Sequence, residues 1–247
     1  MRIAVAGGTG AVGRHVVEAL REATHDPVVL SRSTGTDLLT GVGLVSSLRG
    51  AAAVIDVSGT NSTSTAESVR FFGTVTTNLL EAEREVGVPH HIALSVIGAR
   101  RVNSNYYAGK TVQEEILESS PGGWSLLRTT QFHEFAVQLL EHGKLGPVQI
   151  VPTMRSQPIA AAEVAAELVG IAVSGPRGLE PDLAGPQEEN MANLVRRYLV
   201  ASNRTVPVIQ LALPGAWGRG MRDGSLLPAA DTRLGRQTFD EWLAEQS

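Results

Sequence analysis

Short apolar runs rich in Val and Ile alternate with longer stretches of helical period through the first 130 residues. Residues 2–7 (RIAVAG), 27–32 (PVVLSR), 52–59 (AAVIDVSG), 90–99 (HHIALSVIGA) and 124–130 (WSLLRTT) predict strands. Their near-continuous apolarity predicts burial on both faces, as in a parallel sheet. Between them, 13–23 (GRHVVEALREA), 42–50, 67–87 and 109–120 predict helices; Val16, Val17 and Leu20 form one stripe of the first. The third ends at Gly87 with Pro89 beyond, a stop signal. This alternation predicts an α/β, doubly wound parallel sheet of the Rossmann type.

Beyond about residue 140 the pattern loosens. Residues 146–173 predict a short strand, a loop and a helix from near Ala160; 175–187 are turn-rich; 190–202 predict a helix and 207–213 a strand. The chain is expected to form one dinucleotide-binding domain over 1–247. Residues from about 150, and chiefly 175–247, are expected to add a small substrate lobe folded over the carboxyl edge of the sheet.

Composition removes several classes. The chain has 247 residues, no cysteine and a formal charge of −4. Disulfides and thiolate-bound metals are excluded, and no basic run exceeds two residues, so nucleic acid and anionic membranes are not expected partners. No apolar run is long enough for a membrane span. The first strand reaches a glycine cluster by residue 7, leaving no space for a signal peptide, so the expected location is cytoplasmic. The adjacent His90 and His91 would point to opposite faces of a strand, and no metal site is expected.

The stretch AGGTGAVGRHVVEAL places Gly7, Gly10 and Gly13 at three-residue spacing between a strand and a helix. Gly7 permits the tight turn, Gly10 close approach of a pyrophosphate, and Gly13 close helix packing. With Thr9, Ala11 and Val12 they form the expected phosphate seat at a helix N-terminus. NAD calls for an acid at the end of the second strand; here stand Ser31, Arg32 and Ser33, a guanidinium between two hydroxyls, which suits the 2′-phosphate of NADP. NADP is therefore expected, with NAD possible. Asp37 and Leu38 are expected beside the adenine, and Val57, Ser58 and Gly59 behind the adenosine half. Tyr106 and Lys110 lie four apart, so on a helix they would share a face.

Together GGTGAVG, ALSVIGA and YYAGK resemble the short-chain dehydrogenase/reductase superfamily, closest to its atypical NmrA-like branch. AVIDVSG, LLRTTQFHEFA and SQPIAAAEVAAELV extend the likeness to about residue 172. The resemblance implies a catalytic set of Ser95, Tyr106 and Lys110. Lys110 would favour the phenolate of Tyr106 and bond the nicotinamide ribose. Ser95 would orient a substrate carbonyl, and Tyr106 would protonate it as hydride arrives. Tyr107 is left as packing or pocket wall. Thr130, beside the nicotinamide, and Gln131, Phe132 and His133, around a small-molecule substrate, follow the strand over 124–130. His133 is either a second acid/base or a structural histidine, and Trp217 and Trp242 are expected to anchor the lobe. Three functions stand open: an NADPH-dependent oxidoreductase acting on a small carbonyl, quinone or related electrophile; an NADP-binding redox sensor without turnover; and a sugar-nucleotide epimerase. A homodimer is compatible with the chain, and a protein partner belongs to the sensor alternative.

Overall fold

The computed structural model describes residues 1–246. In chain order the elements are β1 (Arg2–Ala6), α1 (Ala11–Glu22), β2 (Asp26–Leu30), α2 (Leu44–Leu48), β3 (Ala53–Asp56), α3 (Thr65–Val86), β4 (His91–Val96), α4 (Ala99–Val102), α5 (Tyr106–Glu118) and β5 (Trp124–Thr129). Then come α6 (Phe135–His142), β6 (Lys144–Leu145), β7 (Val148–Pro152), β8 (Arg155–Ser156), α7 (Ala161–Ser174), β9 (Gly178–Leu179), β10 (Leu183–Ala184) and β11 (Glu189–Asn190). The last are α8 (Met191–Ala201), β12 (Val208–Leu211), α9 (Gly215–Arg222), β13 (Arg233–Leu234) and α10 (Phe239–Ala244).

These elements divide into two compact units. The first comprises residues 1–95, 104–128 and 162–181. Its strands run in the order β2-β1-β3-β4-β5, with β9 on β5. The pairings β1–β2, β1–β3, β3–β4 and β5–β9 are parallel. Strands β1 and β3 are buried almost throughout, as their unbroken apolar runs require. One core layer joins Ala4, Leu30 and Val54 to Leu44 and Leu48 of α2 and to Val75 and Leu79 of α3. Each fully buried valine or leucine of this layer is worth roughly 1.5–3 kcal/mol. The chain crosses from one side of the sheet to the other between β1 and β3, and in such sheets ligands bind outside the carboxyl ends of the strands at that reversal.

The second unit comprises residues 96–103, 129–161 and 182–247. It holds a three-stranded sheet β12-β7-β6, a β11–β8 pair, and β10, which is parallel to β13 and meets Thr129 through Leu183. This lobe reaches further back than residue 150, and the segment 162–181 belongs to the first unit. The reason lies in distant contacts. Arg101 donates through Nε and Nη2 to the Ser225 carbonyl at 3.0 and 2.8 Å. A Cβ on Gly98 would lie 2.1 Å from the same oxygen. Nothing in the local pattern of residues 96–103 announces those partners.

Element boundaries moved for local reasons. The strand expected over 90–99 stops at Val96, because Gly98 (φ 83°) turns the chain into α4. The helix expected from residue 109 starts at Tyr106. Trp242 is buried against His133, Tyr198 and Phe239, whereas Trp217 is half-buried. Among the described residues no helix is long and apolar enough to cross a membrane, and no three His, Cys, Asp or Glu cluster at metal-binding distance.

Helices α3 and α5 pack closely at Gly109. A Cβ there would stand 2.5 Å from Phe72 Cδ2 and 2.6 Å from the Ser68 carbonyl. Gly109→Ala is therefore expected to destabilise by about 1–3 kcal/mol. Gly170, inside α7, has open space where a Cβ would go, so Gly170→Ala is expected to stabilise by about 0.5–1 kcal/mol. Thermal unfolding separates the two, with opposite shifts of roughly 2–4 °C per kcal/mol.

Candidate dinucleotide site

The turn after β1 is built as its glycines require. Gly7 has φ 81°, and a Cβ on it would lie 2.7 Å from the Val57 carbonyl and 2.8 Å from Ser58 Cα. A Cβ on Gly13 would lie 2.1 Å from the Gly7 carbonyl, so the third glycine lets the helix sit on the turn itself. Gly10 is the N-cap of α1, exposed, and would meet only the Gly7 carbonyl at 3.2 Å. No side chain caps α1, which leaves its first N–H groups free to meet an anion. Thr9 is exposed and Ala11 half-buried beside this opening. Val12 is a correction: its side chain is buried in the core, so only its backbone belongs to the opening.

Across from Gly7, the end of β3 is shaped by Asp56. This fully buried carboxylate accepts from the Ser58 N–H through Oδ1 at 2.9 Å. Ser58 Oγ is buried and has no partner among the described residues. Val57 is half-buried and donates to the Ala6 carbonyl, and Gly59 is exposed. A positive-φ glycine pressed on β3, an uncapped helix start and an orphaned hydroxyl at the sheet's reversal fit a bound pyrophosphate and its ribose.

At the end of β2, Ser31, Arg32 and Ser33 form a short turn. The two serine hydroxyls bond each other at 2.9 Å, while the exposed Arg32 guanidinium has no protein partner among the described residues. Asp37 is better described as a turn-builder than an adenine contact: its Oδ1 accepts from Leu39 N at 2.8 Å and Thr40 N at 3.3 Å. Leu38 likewise packs on the core layer of α2 and α3, and its carbonyl accepts from Asn78.

The Ser95, Tyr106 and Lys110 set comes together differently from expectation. Lys110 is buried, and its ammonium donates to the Leu94 carbonyl at 2.9 Å and to Gln113 Oε1 at 2.8 Å. It also lies 4.2 Å from the centre of the Phe72 ring. Burial pushes its pKa down to about 8, against the pull of Asp56 and Glu114. Tyr106 packs on the same Phe72 ring, edge to face at 5.3 Å. Burial raises its pKa, and Tyr107 and Asp56 push the same way. Lys110 therefore does not stabilise a Tyr106 phenolate here, nor is it open to a ribose. Ser95 is buried and donates to Glu114 Oε1 at 2.5 Å; its hydroxyl is engaged within the protein rather than presented to a carbonyl. Tyr106 is half-buried, and a Cβ on Gly59 would stand 3.8 Å from its hydroxyl. Tyr107 is buried in packing and is not a pocket wall.

The sequence reading missed the polar stripe that takes up these groups. Gln113 Nε2 donates to Asp56 Oδ2 at 2.8 Å. Arg128 grips the fully buried Glu114 through Nε and Nη2, at 2.9 and 2.7 Å. The signal was present: Gln113 and Glu114 lie three and four residues beyond Lys110, on a face that must be buried.

In the second unit, Thr130 Oγ1 donates to the Gln157 carbonyl at 2.6 Å and accepts from Gly185 N at 3.2 Å, which leaves no hydroxyl for a cofactor. Gln131 and Phe132 are half-buried and their backbones bond or bridge to Ile159. His133 is buried, donates from Nε2 to the Gln237 carbonyl at 3.1 Å and packs on Phe239 and Trp242. These contacts are those of a structural histidine, with the ring held by a distant carbonyl and two aromatic rings.

The lowered Lys110 pKa has a sign that can be tested. Between pH 8 and about 10 the unfolded chain keeps the Lys110 proton while the folded chain sheds it. Stability therefore climbs with pH through that window. Denaturant titrations across it are expected to show the climb, and Lys110→Met is expected to flatten it.

Comparison with known proteins agrees with this geometry. The model of a family described as NAD(P)H-binding matches residues 7–174, while no curated protein matches the chain. Among solved structures, the NADPH-dependent quinone oxidoreductase of Escherichia coli, complexed with NADPH, is 18% identical with a TM-score of 0.73, over 99% of each chain. A short-chain dehydrogenase/reductase superfamily protein from Agrobacterium tumefaciens with bound NAD is 18% identical, TM-score 0.67, over 99% of this chain and 95% of that one. The UDP-glucose 4-epimerase of Thermus thermophilus, complexed with NAD, is 17% identical, TM-score 0.68, over 100% and 93%. At these identities the likeness shows the fold. With its glycine turn inside the matched region, the chain belongs to the NAD(P)H-binding family, on the Rossmann-type fold of the short-chain dehydrogenase/reductases that its sequence resembles.

Proposed function

We propose that the protein is an NADPH-dependent reductase acting on a small electrophile such as a carbonyl or quinone. The observation that carries this reading is the conjunction of the open, uncapped start of α1 with the unpaired Arg32 at the end of β2. The backbone N–H groups behind Gly10 bind the pyrophosphate, and Arg32, between the Ser31 and Ser33 hydroxyls, grips a 2′-phosphate. The Ser58 hydroxyl and Gly59 line the cofactor's path from the adenosine half. When bound, the reduced nicotinamide supplies the hydride.

Tyr106 sets the direction of the chemistry. With its pKa raised and no cation beside its oxygen, the phenol stays neutral at physiological pH. A neutral phenol donates to the oxygen that becomes an alkoxide or hydroquinone anion as hydride is delivered. It is a poor base for withdrawing a proton from an alcohol, which argues against alcohol oxidation and against epimerisation. The named activity of the Escherichia coli neighbour supports an NADPH-to-quinone reading, while the Thermus thermophilus epimerase shares the fold. A second reading, cofactor sensing without turnover, is favoured by one observation: Ser95 and Lys110 are both held within the protein.

Loss of NADPH absorbance over a panel of quinones and small carbonyls tests the reductase; no consumption with any acceptor leaves the sensor. Tyr106→Phe is expected to slow turnover of carbonyls by about 10²-fold or more. Arg32→Ala is expected to weaken NADPH binding by about tenfold or more while leaving NADH binding unchanged, measured by calorimetry. Equal losses for both dinucleotides would remove the 2′-phosphate role.

A further inference from the structure

Helix α5 starts from a backbone conformation that side chains disfavour. Asn105, immediately before Tyr106, has φ 54° and ψ −129°, outside the small left-handed basin open to non-glycine residues. Asparagine tolerates positive φ better than most residues, but this combination belongs to glycine. Such strain persists only where the surroundings over-determine it.

The surroundings are specific. The Asn105 N–H donates to Thr65 Oγ1 at 2.9 Å, its Nδ2 donates to the Thr63 carbonyl, and its Oδ1 accepts from Ser104 Oγ at 2.7 Å. Thr65 opens α3, and Thr63 lies in the segment 59–64 that links β3 to α3. At the other end of that segment, the Tyr106 hydroxyl lies against Gly59. One short segment thus touches Tyr106 at one end and the side chain of the preceding residue at the other. Between those ends it is braced by Ser62, which donates to Glu67 Oε2 at 2.5 Å and accepts from Ser64 N at 3.1 Å. Glycine would relieve the backbone but give up the amide that holds Thr63. Asparagine keeps the hold and accepts the strain.

We propose that Asn105 is a positioning residue: its side-chain amide clasps the 59–64 segment to the first turn of α5 and so fixes the Tyr106 hydroxyl beside Gly59. Its effect on turnover rests on the reductase reading; its effect on Tyr106 does not.

The variant Asn105→Gly separates the clasp from the fold, since it removes the amide and relieves the strain together. Tyr106 is one of three tyrosines in the chain, so tyrosinate absorbance in a Tyr107→Phe, Tyr198→Phe background follows it alone. The groups that act on it are Tyr107 and Asp56, while Lys110 lies over the Phe72 ring that Tyr106 also meets. In Asn105→Gly, Tm is expected at or above that of the unmodified chain, with NADPH affinity within about twofold. In that background the Tyr106 midpoint is expected to move down towards the ordinary phenol value of about 10. For carbonyl acceptors kcat is expected to fall about tenfold, at little change in KM. Asn105→Asp, which keeps the strain but loses the donor to Thr63, is expected to shift the tyrosine the same way. An unmoved tyrosine midpoint in the glycine variant overturns the proposal. If the unmodified protein consumes no NADPH, the reductase reading fails and the tyrosine midpoint alone decides the role of Asn105.

Discussion

The contact between Gly7 and the backbone at Val57–Ser58 is the constraint from which the site is built. Any side chain at Gly7 would overlap the Val57 carbonyl and Ser58 Cα, and its φ of 81° is costly for other residues. Because the turn presses on the end of β3, α1 can begin at Ala11, a few residues after the carboxyl end of β1. Gly13 carries the same logic one turn on, by letting the helix rest on the loop. Asp56 completes the contact from the other side by holding the Ser58 N–H. The open start of α1 follows from this packing rather than from a charged side chain.

Behind that edge the protein buries ionised and polar groups at some cost, and pairs them closely. Glu114 is met bidentately by Arg128 and also by Ser95; Lys110 is met by a carbonyl, an amide oxygen and an aromatic face. A buried charge without such partners would be strongly destabilising. These pairings hold α5 against β3, β4 and β5, and they leave Tyr106 without a neighbouring cation. The same packing that makes the helix rigid makes the phenol a weak acid.

Much of the first unit was legible in the sequence. Strands β1 to β5 and helices α1, α3 and α5 all overlap stretches whose apolar runs or period announced them, although α1, α3, α5 and β2 each begin one to three residues earlier, and the glycine spacing announced the turn. The roles expected of individual polar residues fared less well. The ligand contacts expected of Thr130, His133 and Asp37 rest on their place after a strand, yet each is held by backbone groups nearby or far along the chain. A hydroxyl or imidazole at a strand's end is equally suited to either use.

The sequence by itself determined the alternation of strands and helices, the helix start behind three glycines and the guanidinium after the second strand. Those depend on neighbours within a few residues, where periodicity and backbone freedom act. Only the tertiary structure decided that residues 96–103 join the lobe while 162–181 join the sheet, and that Lys110 turns to Leu94 and Gln113 rather than to Tyr106. A flexible ammonium four residues from a phenol can satisfy its three donors in several ways. Which way it takes is fixed by carbonyls and rings that other strands and helices bring alongside.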